Sequence, residues 1–279
     1  MTNTSNHANA GRCAIAAIDQ VRDQLKQAGC HRTPPVQKEN AMHRITLHSA
    51  GQWLAAIAIG MAATTGGHAL AQVAPSAAEV AGYTGLHAAA QKGDTAKIDR
   101  LAAGKADLNA RDGNGRTPLH VAAFAGQREA IKALVKYGAD TSLLDKDRYD
   151  GVTIAAVAND DETLRVLLAQ GASAKLVTSR YDGTALIAAA HLGHEGVVRQ
   201  LIAAGAPLNH INNLHWTAAI EAVVLGNGGP RHQETLRALI AAGANLQLAD
   251  RQGNTPLQLA RSRGYTEMVR MLEASGKAG

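Results

Sequence analysis

The sequence predicts an all-α fold, a linear stack of helix-turn-helix units in place of a single closed globule. Three observations carry this. Similar phrases open on Thr84, Thr117, Thr153, Thr184, Thr217 and Thr255, spaced 33, 36, 31, 33 and 38 residues apart, and a period near 33 marks a stacked array. Four phrases close alike, on Gly138-Ala139, Gly171-Ala172, Gly205-Ala206 and Gly243-Ala244. The composition is 46% hydrophobic but only 3% aromatic, with a single Phe. An interior of Ala and Leu suits helices that approach closely.

Three segments precede the array. Residues 1–41 are polar, with a short helix expected from Ala14 to Gln27 and a break at Pro34-Pro35; they read as a non-native or disordered extension, synthesis starting at Met42. Residues 42–71 read as a signal peptide. Met42, His43 and Arg44 give a basic start, Trp53–Ala63 an apolar centre of 11 residues, and Ala69-Leu70-Ala71 a small-residue cleavage site. The apolar run is shorter than the roughly 20 residues that span a bilayer; a membrane anchor facing the periplasm is the alternative. This places the mature protein in the periplasm, touching membrane only during export. Residues 72–81 read as a short linker.

Cys13 and Cys30 are the only cysteines. A chain starting at Gln72 can therefore form neither an internal disulfide nor a thiolate zinc site. Residues 1–71 hold six Lys or Arg and three Asp or Glu; of the chain's 28 and 23, that leaves 22 basic and 20 acidic groups, a net of +2. Such a balance lacks the dense basic stripe of a nucleic-acid surface.

One unit can be read from residues 115–145. Thr117 is suited to cap a helix, its hydroxyl accepting from a first-turn amide. Pro118 then stands where a missing N–H costs nothing. Leu119, Ala122 and Ala123 form a small apolar face, and Gly126 ends the helix. A second helix runs from about Gln127 to Lys136, with Ile131, Leu134 and Val135 on one side. Gly138 fits a left-handed C-terminal position. The polar run Asp140–Asp147 leads into the next unit as an extended turn.

At this point GRTPLHVAAFAGQREAIKALVKYGAD and GNTPLQLARSRGYTEMVRMLEASG resemble ankyrin repeats. The resemblance covers residues 82–276 as six units, near 82–114, 115–150, 151–181, 182–214, 215–252 and 253–276, with a tail at 277–279. It implies an ankyrin-repeat solenoid with β-hairpin-like fingers at right angles to the helix pairs, acting as a monomeric, non-catalytic protein-binding module. YDGTALIAAAHLGHEGVV and NNLHWTAAIEAVVLGNGGPRH further resemble exported bacterial members of the family. That suggests a periplasmic partner, a catalase or another stress-defence enzyme, bound through the finger tips and the concave face. The alternative is an inhibitor or immunity protein that occludes a toxin or enzyme.

Two units depart from the pattern. The third is expected to have a finger, Lys146–Asp150, about three residues longer than the others, and a shorter helix-to-helix turn around Asn159–Glu162. The fifth inserts about five residues within GNGGPRHQ, 226–233.

The expected partner-binding residues follow from type and place. Arg148-Tyr149, Arg180-Tyr181 and His215-Trp216 fall at three successive finger tips, and Trp, Tyr and Arg dominate protein interfaces. Arg231 and His232 form a second candidate on the 226–233 loop, reaching a partner or an anion. The histidines are expected to be structural: His87 and His120 bond the turn, and His194 holds the family's Gly-His place. His191, His194, His210, His215 and His232 lack the cysteines or carboxylate spacing of a metal site. No metal or other cofactor is expected. The sequence has no G-x-S-x-G, no phosphate loop and no H-E-x-x-H. Asp160, Asp161 and Glu162 read as a solvated turn, and Glu221 lies in a helix without an evident partner.

Overall fold

A computed structural model of the chain describes residues 72–276. The expected extension, signal peptide and tail lie outside the described residues. Those described form thirteen helices and no strand, with one isolated antiparallel bridge between Thr178 and Gly183.

Helix α1 (Ala77–Gly82) precedes six helix pairs. They are α2 (Gly85–Lys92) with α3 (Thr95–Ala103), α4 (Pro118–Phe124) with α5 (Arg128–Lys136), and α6 (Gly151–Ala158) with α7 (Asp161–Ala169). Then follow α8 (Ala185–Leu192) with α9 (Glu195–Ala203), α10 (Ala218–Val224) with α11 (Pro230–Ala241), and α12 (Pro256–Ser262) with α13 (Thr266–Ser275). First helices stack on first helices, and second on second. The small residues explain the close stacking: Ala89-Ala90, Ala122-Ala123, Ala155-Ala156, Ala189-Ala190 and Ala222 are all buried at the same place in successive first helices. Ile98, Ile131, Leu164, Val198 and Leu236 do the same between second helices, each 0% exposed. Removing one of these aliphatic side chains to Ala costs about 2–5 kcal/mol.

The third unit proves regular. Its first helix is capped by Asp150, whose Oδ1 accepts from the Thr153 amide at 2.9 Å. The phrase therefore opens at Asp150, not at Thr153. Counted on caps at 84, 117, 150, 184, 217 and 255, the spacings are 33, 33, 34, 33 and 38. The expected long finger and short turn both vanish. Asp caps a helix as well as Thr does, so a register drawn on Thr alone slips by one turn here.

The insertion in the fifth unit is divided. Helix α11 has 12 residues where α9 has 9, with Pro230 at its first position. Only the remainder lengthens the loop. Gly228 (φ +69) turns that loop tightly, and a Cβ there would lie 2.5 Å from the Tyr265 ring. Tyr265 Oη donates to the Gly226 carbonyl at 3.0 Å. The insertion is thus packed down by the following unit.

Four of the five fingers between units are each shaped by one side chain. Asp112, Asp145, Asn212 and Asp250 each accept, through Oδ1, the amides two and four residues on, at 2.8–3.0 Å. This is the turn that Asp and Asn favour. The fourth place takes a left-handed φ, at Gly115, Arg148, His215 and Gly253. Neighbouring fingers join through their backbones: the Lys146 amide donates to Asn114 O, Ser179 to Arg148 O and Asn213 to Tyr181 O, at 2.8–3.0 Å.

Residues 72–81, read as a linker, include most of α1. The helix is capped by Ser76 and docks through charge. Arg116, 3% exposed, donates to Glu79 Oε1 (3.0 Å) and to the Val73 carbonyl (3.2 Å). Tyr83 Oη donates to Asp112 Oδ2 at 2.8 Å.

Candidate partner-binding groove

Units three to five leave a narrow groove, partly open to solvent, between their fingers and first helices. Its walls are apolar. Tyr149, Tyr181 and Leu214 line it from the fingers, and Val157, Ile187 and Leu225 from the helix side. Ala188 lines it too, its methyl taking up little of the space.

The deepest lining is polar. Glu221, on α10, is 4% exposed. Its Oε2 lies 3.1 Å from His191 Nδ1 on α8, and its Oε1 accepts from Asn212 Nδ2 at 3.0 Å. The sequence reading gave Glu221 no partner; the stack supplies two, from the preceding first helix and from its own finger. Asn212 serves both sides at once, its oxygen turning the finger and its nitrogen bonding the carboxylate. At the equivalent places three other fingers use Asp112, Asp145 and Asp250, which have no such hydrogen to give. No single phrase shows this network, since its members lie 9 and 30 residues apart.

The six finger residues expected at the tips occupy different settings. Arg148-Tyr149 and His215-Trp216 hold equivalent places just before their caps, but Arg180-Tyr181 stands two places earlier relative to Thr184. Tyr149 does not project. It is 8% exposed within the core, where burial first, then Asp147, push its phenol up to about 12. Trp216 is half-buried against the core. Arg148 pairs with Asp182 (2.9 Å) and Arg180 with Asp147 (3.5 Å), two exposed bridges between neighbouring fingers. Tyr181 lines the groove, and His215 is exposed.

The second candidate is corrected. Arg231 and His232 lie in α11, not in a loop. His232 donates through Nε2 to the His191 carbonyl, 2.9 Å away, and burial lowers its pKa. It packs against Gly193 and Gly226, so it holds units four and five together. Arg231 remains exposed beside the Leu192 carbonyl.

The other histidines bond backbone carbonyls across units. His87 Nε2 reaches Arg116 O (2.9 Å), His120 Nε2 reaches Tyr149 O (3.0 Å), and His194 Nδ1 reaches Ala156 O (2.9 Å). Burial lowers both His120 and His194 to about 4. His191 and His194 turn to different neighbours, one to Glu221 and one to Ala156.

Comparison with known proteins agrees with this architecture. A model of ankyrin repeats in three copies matches residues 59–145 and 152–250, and one of many copies matches 230–273. The chain belongs to the ankyrin-repeat family. A putative ankyrin repeat protein of Escherichia coli K12, YahD, is 38% identical over 99 residues, covering 35% of this chain and 49% of its own. The alignment thus spans about half the length of that relative. An ankyrin repeat domain from Acinetobacter baumannii AYE is 44% identical, covering 68% of this chain and 97% of that one, with a TM-score of 0.65. A chain from the complex of a Bdellovibrio bacteriovorus predatory endopeptidase with an immunity protein is 25% identical; the match covers 69% and 98%, with a TM-score of 0.55. Ankyrin repeats form protein–protein interaction modules, and family members are typically non-catalytic.

Proposed function

We propose that this ankyrin-repeat chain is exported and docks a periplasmic partner protein in the groove of units three to five. One observation carries the site: an apolar, tyrosine-walled groove lies over a buried polar network on a rigid frame. A preformed groove limits the ordering cost of association. Export rests on the basic, apolar and Ala-x-Ala segments of residues 42–71. A chain starting at Gln72 keeps the described contacts, since Val73 already bonds Arg116. The partner this reading names is a catalase or another enzyme of stress defence.

Crosslinking in the intact periplasm, read by mass spectrometry, tests it. Tyr181→Ala and Leu214→Asp are expected to lose the captured partner, while Arg231→Ala keeps it. Capture unchanged in both groove variants would move the docking surface elsewhere. The mature N-terminus is expected at Gln72; a chain retaining Met1 rules export by this segment out.

A second reading, an immunity-type inhibitor, draws on the likeness to the endopeptidase–immunity complex. Deleting the gene separates the two. Loss of peroxide survival fits the helper, whereas sensitivity confined to one toxin or peptidase fits the inhibitor.

A further inference from the structure

The Glu221 carboxylate is buried yet lines the groove. It accepts one hydrogen bond on each oxygen, from Asn212 and His191. A carboxylate has about four acceptor sites, so each oxygen keeps one to spare. Asn212 is a neutral donor, and among the described residues no lysine or arginine lines the groove. The carboxylate therefore faces an apolar cleft without a permanent positive charge beside it. Buried carboxylates are stable when paired and hydrogen-bonded.

We infer that Glu221 is the floor of a subsite for a basic side chain, an arginine or lysine that the partner inserts into the groove. The deduction rests on the docking reading above and names the chemistry of what docks. The fit is twofold. The cation's N–H groups donate to the free acceptor sites of Glu221, and a guanidinium can do so with two parallel bonds. Its aliphatic stem lies along Ile187, Leu214 and Leu225, and its charge passes the Tyr181 ring, whose face attracts cations. Asn212 and His191, which line the groove beside it, hold the carboxylate in place. The occupant is thus set by charge complementarity at the bottom and by apolar contact along the walls.

Two small probes of one shape test this on the full chain at pH 8. N-butylguanidinium carries the charge, and N-butylurea lacks it. Each is titrated while the backbone amides of residues 187–225 and the Asn212 side-chain amide are followed by NMR. The guanidinium is expected to shift these signals and to bind at least tenfold more tightly than the urea. Glu221→Gln, which keeps the shape and removes the charge, is expected to bring the two probes level. The probe comparison uses the unaltered protein, so it stands even where that variant does not fold. Equal binding of the two probes, no binding of either, or an undiminished preference in folded Glu221→Gln each overturn the subsite. Partner capture that depends on Tyr181, together with probes that bind equally, would sink the basic anchor and leave the docking groove. A guanidinium preference without partner capture would support the subsite and sink the docking reading.

Discussion

Asn212 Nδ2 donates to Glu221 Oε1 across 3.0 Å while the Asn212 oxygen shapes the fifth finger. That division of labour predicts the effect of Asn212→Asp. The finger keeps its acceptor, but a second carboxylate now faces Glu221 and the donor is gone. Leaving a buried partner unsatisfied costs about 1–3 kcal/mol, more for charged groups. Urea unfolding at pH 7 is expected to show a loss at the upper end of that range. Asp145→Asn, at the equivalent place two units earlier, makes the control. Asp145 accepts from the backbone amides of Asp147 and Tyr149, and burial already raises its pKa. It is expected to be neutral or slightly stabilising. Equal behaviour of the two variants would remove Glu221 as the cause.

Much of the array is legible in the sequence, because Thr-Pro-Leu-His, the alanine pairs and Gly-Ala-Asp are each local signals. The failures share a physical origin. At Asp150 a different residue type does the same capping, so a Thr-based register misplaces the third unit. At Tyr149 the residue type suggests an anchor, while its place before the cap turns the ring inward. His232 looks like part of a loop until α11 begins at Pro230. The groove network was out of reach for another reason: His191 and Glu221 meet only when one first helix lies on the next, and no period in the sequence marks that contact.

His120 predicts how acid acts on the fold. It is 0% exposed; Nδ1 takes hydrogen bonds from the Thr117 amide and hydroxyl, and Nε2 donates to Tyr149 O. Burial lowers it from 6.5 to about 4. The folded state therefore binds the proton less tightly than the unfolded one. Its contribution is complete above pH 6.5 and is lost as pH falls toward 4. A drop of that size corresponds to roughly 3 kcal/mol. Gln258 fills the same place in the sixth unit and makes the same bond to its cap amide, at 2.7 Å. His120→Gln is thus expected to fold and to flatten the fall in stability between pH 7 and 4. His194 leaves a residual slope through the same window. An unchanged pH profile would remove His120 from the acid response.

Asp150 predicts the opposite sign. It is 1% exposed, its Oδ1 caps α6, and its Oδ2 has no hydrogen-bond partner. Burial raises its pKa above 3.8 in spite of the cap bonds. A carboxyl raised on folding weakens the fold as pH rises through its unfolded value, and its cost is absent below that value. Asn caps a helix as well as Asp does and carries no charge. Asp150→Asn is expected to gain up to about 1 kcal/mol at pH 7, the scale of one hydrogen bond. The gain should shrink as pH falls toward 3.8. A loss at pH 7 would mean that the ionised cap stabilises α6 by more than its burial costs.

The insertion of the fifth unit gives a prediction that separates stability from binding. Gly228 has φ +69, and a methyl there would meet the Tyr265 ring at 2.5 Å. A left-handed residue with a Cβ costs about 1–2 kcal/mol, and overpacking typically adds about 1–3 kcal/mol. Gly228→Ala is therefore expected to lower stability by at least about 2 kcal/mol. Tyr265→Phe removes only the bond to the Gly226 carbonyl, about 1 kcal/mol. Calorimetric unfolding should rank the two in that order. Neither residue lines the groove, so partner capture at a temperature where both variants are folded is expected to match the parent chain. Capture lost in Tyr265→Phe at full stability would instead make this loop part of the docking surface. The close fit of ring on glycine argues for the structural role, because the Tyr265 ring covers the turn at Gly228 and its hydroxyl is spent on the Gly226 carbonyl.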